Sequence, residues 1–202
     1  MPLRFSSALD QFVIPFINPK KYFIRGNMSG FFDQLLKIIK TIFALRDGKI
    51  YGKLDMQKTF YFAKELGLPI PFKFRWGKLG PFSYELSNVL ERITSQRYIK
   101  YDGTYHYNED DFRYVDDLKI PEHIWTFFDD INDICDENGY DLIYFIECLA
   151  SLHFLNKYSG VRNKRAIFER LRDLKKDRMP FLESLLEPAW MFLEKHELIE
   201  VT

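Results

Sequence analysis

The chain has 202 residues, 47% of them apolar and 17% aromatic, so it can bury a substantial core and its composition argues against long disorder. Its 29 Lys and Arg cancel its 29 Asp and Glu, which removes any general attraction to nucleic acid. No apolar run reaches the ~18–20 residues that span a bilayer, and "FVIPFI" at 12–17 is short, broken by Pro15 and without the flanks of a secretory signal. The expectation is a soluble, cytoplasmic protein with no membrane partner. Cys135 and Cys148 match no zinc or redox spacing and read as buried thiols of a reducing compartment.

In chain order, residues 1–27 carry Pro2, Pro15 and Pro19 and read as an N-terminal arm or extension, with Met28 as an alternative start. Phe31, Phe32, Leu35, Ile38, Ile39, Ile42 and Leu45 repeat at helical spacing and predict a helix over 30–46, ended by Asp47-Gly48. A second helix over 53–66 has Leu54, Met56, Phe60, Ala63 and Leu66 as its inner face and stops at Gly67. "FKFRW" alternates with period two, which predicts a strand with Phe72, Phe74 and Trp76 inward and Lys73 and Arg75 outward. Pro81 suits the first position of a third helix with the stripe Phe82, Leu86, Val89, Leu90 and Ile93. "YIKYDGTYHYN" predicts a hairpin about Asp102-Gly103. Four further helices are predicted over 121–137, 140–157, 162–176 and 180–197, after an acidic loop at 109–119.

The expected fold is mainly α: a winged-helix-like domain with a small antiparallel sheet and hairpin over 28–110, then a helical bundle over 120–202. The order of helix, helix, strand, helix and hairpin supports it, although some 14 residues separate the second and third helices where a helix-turn-helix has a compact turn.

"KLDMQKTFYFAKELG" followed by "FRWGKLGPFSYELSNVLERI" resembles the YwgA-like group of prokaryotic proteins. Lys53, Leu54, Lys58, Phe60, Tyr61, Gly80, Pro81, Phe82 and Ser83 stand where that pattern has such residues. The same segment is distantly similar to the Panacea (SocA-like) antitoxin domain. The resemblance covers residues 50 to about 107 and implies regulation, defence or toxin neutralisation by binding, and it supplies no catalytic residue.

Charge is segregated along the chain. Residues 1–103 hold 17 basic and 8 acidic side chains, whereas 104–147 hold 2 and 13. The acidic block reads as a solvated face or as a docking surface for a basic partner or for the chain's own basic flanks. Candidate binding residues are Lys73, Arg75 and Lys78 on the aromatic strand, Tyr84, Asn88 and Arg92 on the third helix, and Arg162, Lys164, Arg165 and Arg172 on the basic helix. Glu85 and Glu91 make the third helix a poor reader of DNA. His106, His123, His153 and His196 lie on separate elements, and no phosphate loop, nucleophile elbow or zinc motif occurs. Asp129, Asp130, Asp133 and Asp136 admit a Mg²⁺-dependent nuclease as the weakest reading. The expectation is therefore a binding protein without cofactor or catalytic site, acting on a protein partner or a second copy, with nucleic-acid-binding regulation as the alternative.

Overall fold

A computed structural model describes residues 29–107, 112, 115, 118–176 and 181–199. The expected arm at 1–27 and most of the acidic loop at 109–119 lie outside the described residues. The chain is mainly α, with seven helices and two small antiparallel sheets, of three and two strands, among the described residues.

Helix α1 (Ser29–Ala44) buries Leu35, Ile38, Ile39 and Ile42 of its predicted stripe, and Leu36 and Phe43 beside it. The turn after it returns the Gly48 N–H to the Phe43 carbonyl at 2.8 Å and starts strand β1 (Lys49–Ile50), too short to show in the sequence pattern. Helix α2 (Gly52–Glu65) was expected to bury one face. It is instead buried nearly all round from Asp55 to Ala63, polar side chains included, because the later helices cover its far side.

The segment "FKFRW" keeps its alternation: Phe72 is buried, Phe74 and Trp76 are half-buried, and Lys73 and Arg75 are exposed. Only its end pairs as a strand, β2 (Arg75–Gly77), against β3 (Gly80–Phe82) with Gly77 opposite Gly80. Side chains take the place of a partner strand earlier in the segment. The Lys64 ammonium donates to the Phe72 carbonyl and the Lys73 N–H donates to the Glu85 carboxylate at 3.0 Å.

Pro81 and Phe82 do not open the third helix; they belong to β3. Helix α3 (Tyr84–Ser95) starts after Ser83, whose hydroxyl caps the Leu86 N–H at 3.2 Å. Gln57 explains the shift. Its side-chain carbonyl accepts from the Ser83 N–H at 2.8 Å and its amide donates to the Ser83 carbonyl at 3.0 Å, which holds Ser83 extended. Strands β4 (Ile99–Tyr101) and β5 (Tyr105–Tyr107) form the hairpin about Asp102-Gly103, and β1 joins them in the order β1-β5-β4.

Helices α4 (Glu122–Asn138), α5 (Leu142–Tyr158), α6 (Lys164–Lys175) and α7 (Leu182–Lys195) follow. Asp141 and Asn163 cap α5 and α6, and Gly139 ends α4 in the left-handed conformation. Helix α5 is the central element: it packs on α2, α4, α6, α7 and β3 and is buried on every side. The apolar core runs without interruption from α1 to α7. No helix among the described residues is long and apolar enough to cross a membrane. Cys135 and Cys148 are free and buried.

Candidate functional site

Of the residues that carry the family resemblance, Lys58, Phe60, Tyr61, Gly80, Pro81 and Ser83 are buried, whereas Lys53 is exposed; Lys58, Gly80 and Pro81 meet between α2, β3 and α5. Lys58, 1% exposed, donates to the Pro81 carbonyl at 2.8 Å. Gly80 adopts a φ of +87°, and a Cβ placed there would lie 2.5 Å from the Ser151 hydroxyl and 3.6 Å from the Lys58 ammonium. Glu147 and Lys175 form a buried ion pair beside them, and the Lys175 ammonium lies 5.9 Å from the centre of the Trp76 ring. Burial, reinforced by Lys175 and opposed by Glu147, lowers the Lys58 ammonium to a pKa of about 7. Lys175, at the end of the basic helix, is fully buried, because α6 turns its last residue toward α5.

A second buried pair lies further along α2 and α5. The Tyr61 hydroxyl and His153 Nδ1 are 2.6 Å apart. Burial lowers His153 to a pKa of about 4 and raises Tyr61 well above its ordinary value. The ring is therefore neutral, and Tyr61 donates to Nδ1. Near β1, Arg46 bonds to Asp55 at 3.3 Å and to Asn132 at 3.2 Å, which ties α1 and α2 to α4. Burial raises both thiols, Cys135 to about 12 and Cys148 higher, which favours their protonated form.

The predicted binding residues do not share one surface. Lys73 and Arg75 line a groove of about 280 Å³ with Lys64, Glu65, Phe74 and Tyr158; Lys64 and Tyr158 were not anticipated, since they come from the ends of other helices. Lys78 lies exposed in the turn between β2 and β3. Tyr84, 75% exposed, and Asn88 stand outward on α3, with Arg92 half-buried behind them.

The basic helix is largely occupied by its own neighbours. Arg172 makes a two-pronged bond to Glu183 at 2.6 and 2.9 Å, and Lys164 pairs with Glu187 at 2.5 Å, both across to α7. Arg165 pairs with Glu169 along α6, and Arg162 donates to the Asn156 carbonyl. The spacing along α6 could not reveal the α7 carboxylates, which arrive from a separate element.

Helix α4 presents the acidic block. It carries six carboxylates and no Lys or Arg. Trp125, Asp129, Asp133, Asp136 and Glu137 fall at i, i+4, i+8, i+11 and i+12, along one side, and all five are exposed. Asp130 turns aside to Lys195 at 2.6 Å and His196 at 3.1 Å. Among the described residues no group of three or more His, Cys, Asp and Glu is arranged to hold a metal ion.

No protein-family model matches the chain, and no solved structure matches it. One similarity stands out. The chain is 25% identical over 168 residues to a DNA ADP-ribosyl glycohydrolase of Thermus aquaticus. The match covers 77% of this chain and 44% of the relative, so the chain spans less than half the length of the curated relative it matches. This corrects the expectation of a protein that is not an enzyme, since the relative is by name a hydrolase. The expectation rested on the lack of familiar nucleophile, phosphate-loop and zinc motifs, which cover only some reaction classes.

Proposed function

We propose that this chain works in a system that handles ADP-ribosyl groups on DNA, as a module that docks a basic protein partner on the outer side of α4. One observation carries this reading: an exposed Trp125 heads a stripe of Asp129, Asp133, Asp136 and Glu137 with no Lys or Arg on the helix. A half-open tryptophan, 36% exposed, supplies the aromatic anchor that dominates many interfaces, and the carboxylates supply steering and register. Proteins that engage DNA carry basic surfaces, and an acidic stripe complements such a surface. The similarity to the glycohydrolase supplies the setting. The resemblance to the Panacea-like antitoxin domain implies the same kind of role, regulation or neutralisation by binding.

The order α1, β1, α2, α3, β4, β5 with the sheet order β1-β5-β4 supports a winged-helix-like reading of the first half, with β2 and β3 inserted between α2 and α3. In that reading α3 is the helix that would enter a groove of DNA. Its outward Glu85 and Glu91 favour a protein surface there too. The two free, buried thiols fit a cytoplasmic setting.

The experiment is native co-purification with mass spectrometry, wild type beside a variant carrying Asp129→Lys, Asp133→Lys and Asp136→Lys. A basic partner retained by the wild type, released as salt rises and lost by the variant supports the reading. Equal retention by both, or a strict monomer by light scattering with nothing retained, overturns it. A second reading, glycohydrolase activity in this chain, is favoured by the same similarity. Incubation with an ADP-ribosylated oligonucleotide and chromatography for released ADP-ribose tests it directly.

A further inference from the structure

The groove beside the aromatic strand is a site the acidic stripe does not use. Its walls are Phe74 and the ring of Tyr158, 53% exposed, and its rim carries Lys64, Lys73 and Arg75. The one carboxylate in the lining, Glu65, is engaged on both oxygens, by Lys157 at 2.5 Å and by the Tyr158 hydroxyl at 3.0 Å. Helices α2 and α5 both end here, and Lys64 and Lys157 offset the negative ends of their dipoles. Among the described residues no carboxylate pairs with the side chain of Lys73 or Arg75. The groove therefore presents two uncommitted cations beside an open aromatic face.

The face is held in place before any ligand arrives. The Tyr158 hydroxyl is tied to Glu65, and its ring lies 4.8 Å from the centre of Phe154, which in turn packs on Trp76. Phe74 packs edge-on against the buried Tyr61. Such a platform loses little freedom when a flat ring settles on it. The groove is smaller than the ~300–1,000 Å³ typical of enclosed small-molecule pockets. It fits one base-sized ring, with the remainder of a ligand lying across the rim.

We propose that this groove binds single-stranded nucleic acid, with one base stacked on Tyr158 and the flanking phosphates held by Lys73 and Arg75. A duplex keeps its base faces inside the stack and cannot offer one to Tyr158, whereas a single strand offers a π-face at every nucleotide. Two phosphate contacts give a slope of about −1.4 in log affinity against log salt, at about −0.7 for each phosphate of a single strand.

Fluorescence anisotropy with a dye-labelled oligothymidylate of about 12 nucleotides, titrated between about 50 and 200 mM salt, tests this. The wild type should bind at low salt and prefer the single strand to a duplex of equal length. Lys73→Gln with Arg75→Gln should weaken binding about tenfold and flatten the salt slope by about 1.4. Tyr158→Leu should weaken it about fivefold or more with the slope unchanged, and Tyr158→Phe should retain it. All of these positions are exposed, and circular dichroism verifies that each variant folds. Absence of binding at low salt, or unchanged affinity in either the double variant or Tyr158→Leu, overturns the proposal.

Discussion

Gly80 offers the sharpest test of how the interior is assembled. Its φ of +87° is costly for a residue with a side chain, about 1–2 kcal/mol. A Cβ there would also press to 2.5 Å from the Ser151 hydroxyl, a contact in the middle of the fully buried α5. Ser151 can escape only by turning into packed neighbours, and overpacking of this kind costs about 1–3 kcal/mol. Gly80→Ala should therefore destabilise by about 3 kcal/mol. Ser151→Ala alone should leave stability unchanged or raise it, because the hydroxyl it removes is buried without a hydrogen-bond partner among the described residues. With both changes the oxygen is gone and the remaining Ser151 Cβ position, 3.6 Å away, is an ordinary contact. Only the backbone strain is left, so the pair should couple by about 1–2 kcal/mol. Gly67→Ala is the control: its φ is +108° with nothing within 4 Å, so it should show the strain alone. Urea denaturation with equal m-values for all variants gives each number. A coupling below about 0.5 kcal/mol would refute the argument that close approach of β3 to α5 sets this glycine.

Glu147→Ala should be severe, about 3–5 kcal/mol, since it removes the carboxylate that is ion-paired with the buried Lys175 ammonium. Glu147→Leu combined with Lys175→Met should recover most of that loss in the same urea titration, and equal loss in the single and double variants would show that the pair is not what is being measured. His153 sets an acid response. With a folded pKa near 4 against 6.5 unfolded, the unfolded chain binds the extra proton between those values, so stability is full above pH 6.5, falls as pH drops toward 4 and levels off below. The slope reaches at most about 1.4 kcal/mol per pH unit, with Glu65 favouring and Lys157 opposing the charged ring. His153→Gln should flatten thermal melting points over that window, and parallel curves for the two proteins would count against a neutral buried ring.

The elements that show in the sequence are those whose signals are local. The stripe from Leu35 to Leu45, the Asp102-Gly103 turn and the alternation of Phe72 to Trp76 each depend on residues a few positions apart, and each appears where expected. What the pattern hides is long-range. Lys175 and Glu147 stand 28 residues apart and Tyr61 and His153 stand 92 apart, so nothing near either partner marks it as buried. Strand β3 reads in the sequence as the start of a helix because Pro81 suits the first helical position, and the choice is made by Gln57, which grips Ser83 from 26 residues upstream. The candidate site divides in the same way. Alternation alone turns Lys73 and Arg75 outward, but Tyr158 completes the groove from the far end of another helix, and the α7 glutamates quench the basic helix from outside its own sequence.

The same distinction separates what the residues of the Lys58 to Ser83 motif do from what the surface does. Lys58, Gly80, Pro81 and Ser83 are consumed in joining α2, β3 and α5: Lys58 holds the Pro81 carbonyl, Gly80 allows the approach to Ser151, and Ser83 caps α3 while Gln57 grips its backbone. All four are buried, so no partner can touch them without unfolding the centre. A buried motif of this kind builds the core and leaves the activity to residues outside it. Two proteins with this core can therefore differ in partner, and the differences should concentrate on the outer side of α4 and around Tyr158. Substitutions at Lys58 or Gly80 should lower stability and every surface function together, whereas Asp133→Lys should remove partner binding and leave oligonucleotide binding intact. Lys73→Gln with Arg75→Gln should do the reverse. Loss of both functions from either surface change, at unchanged stability, would mean that the two surfaces act as one site.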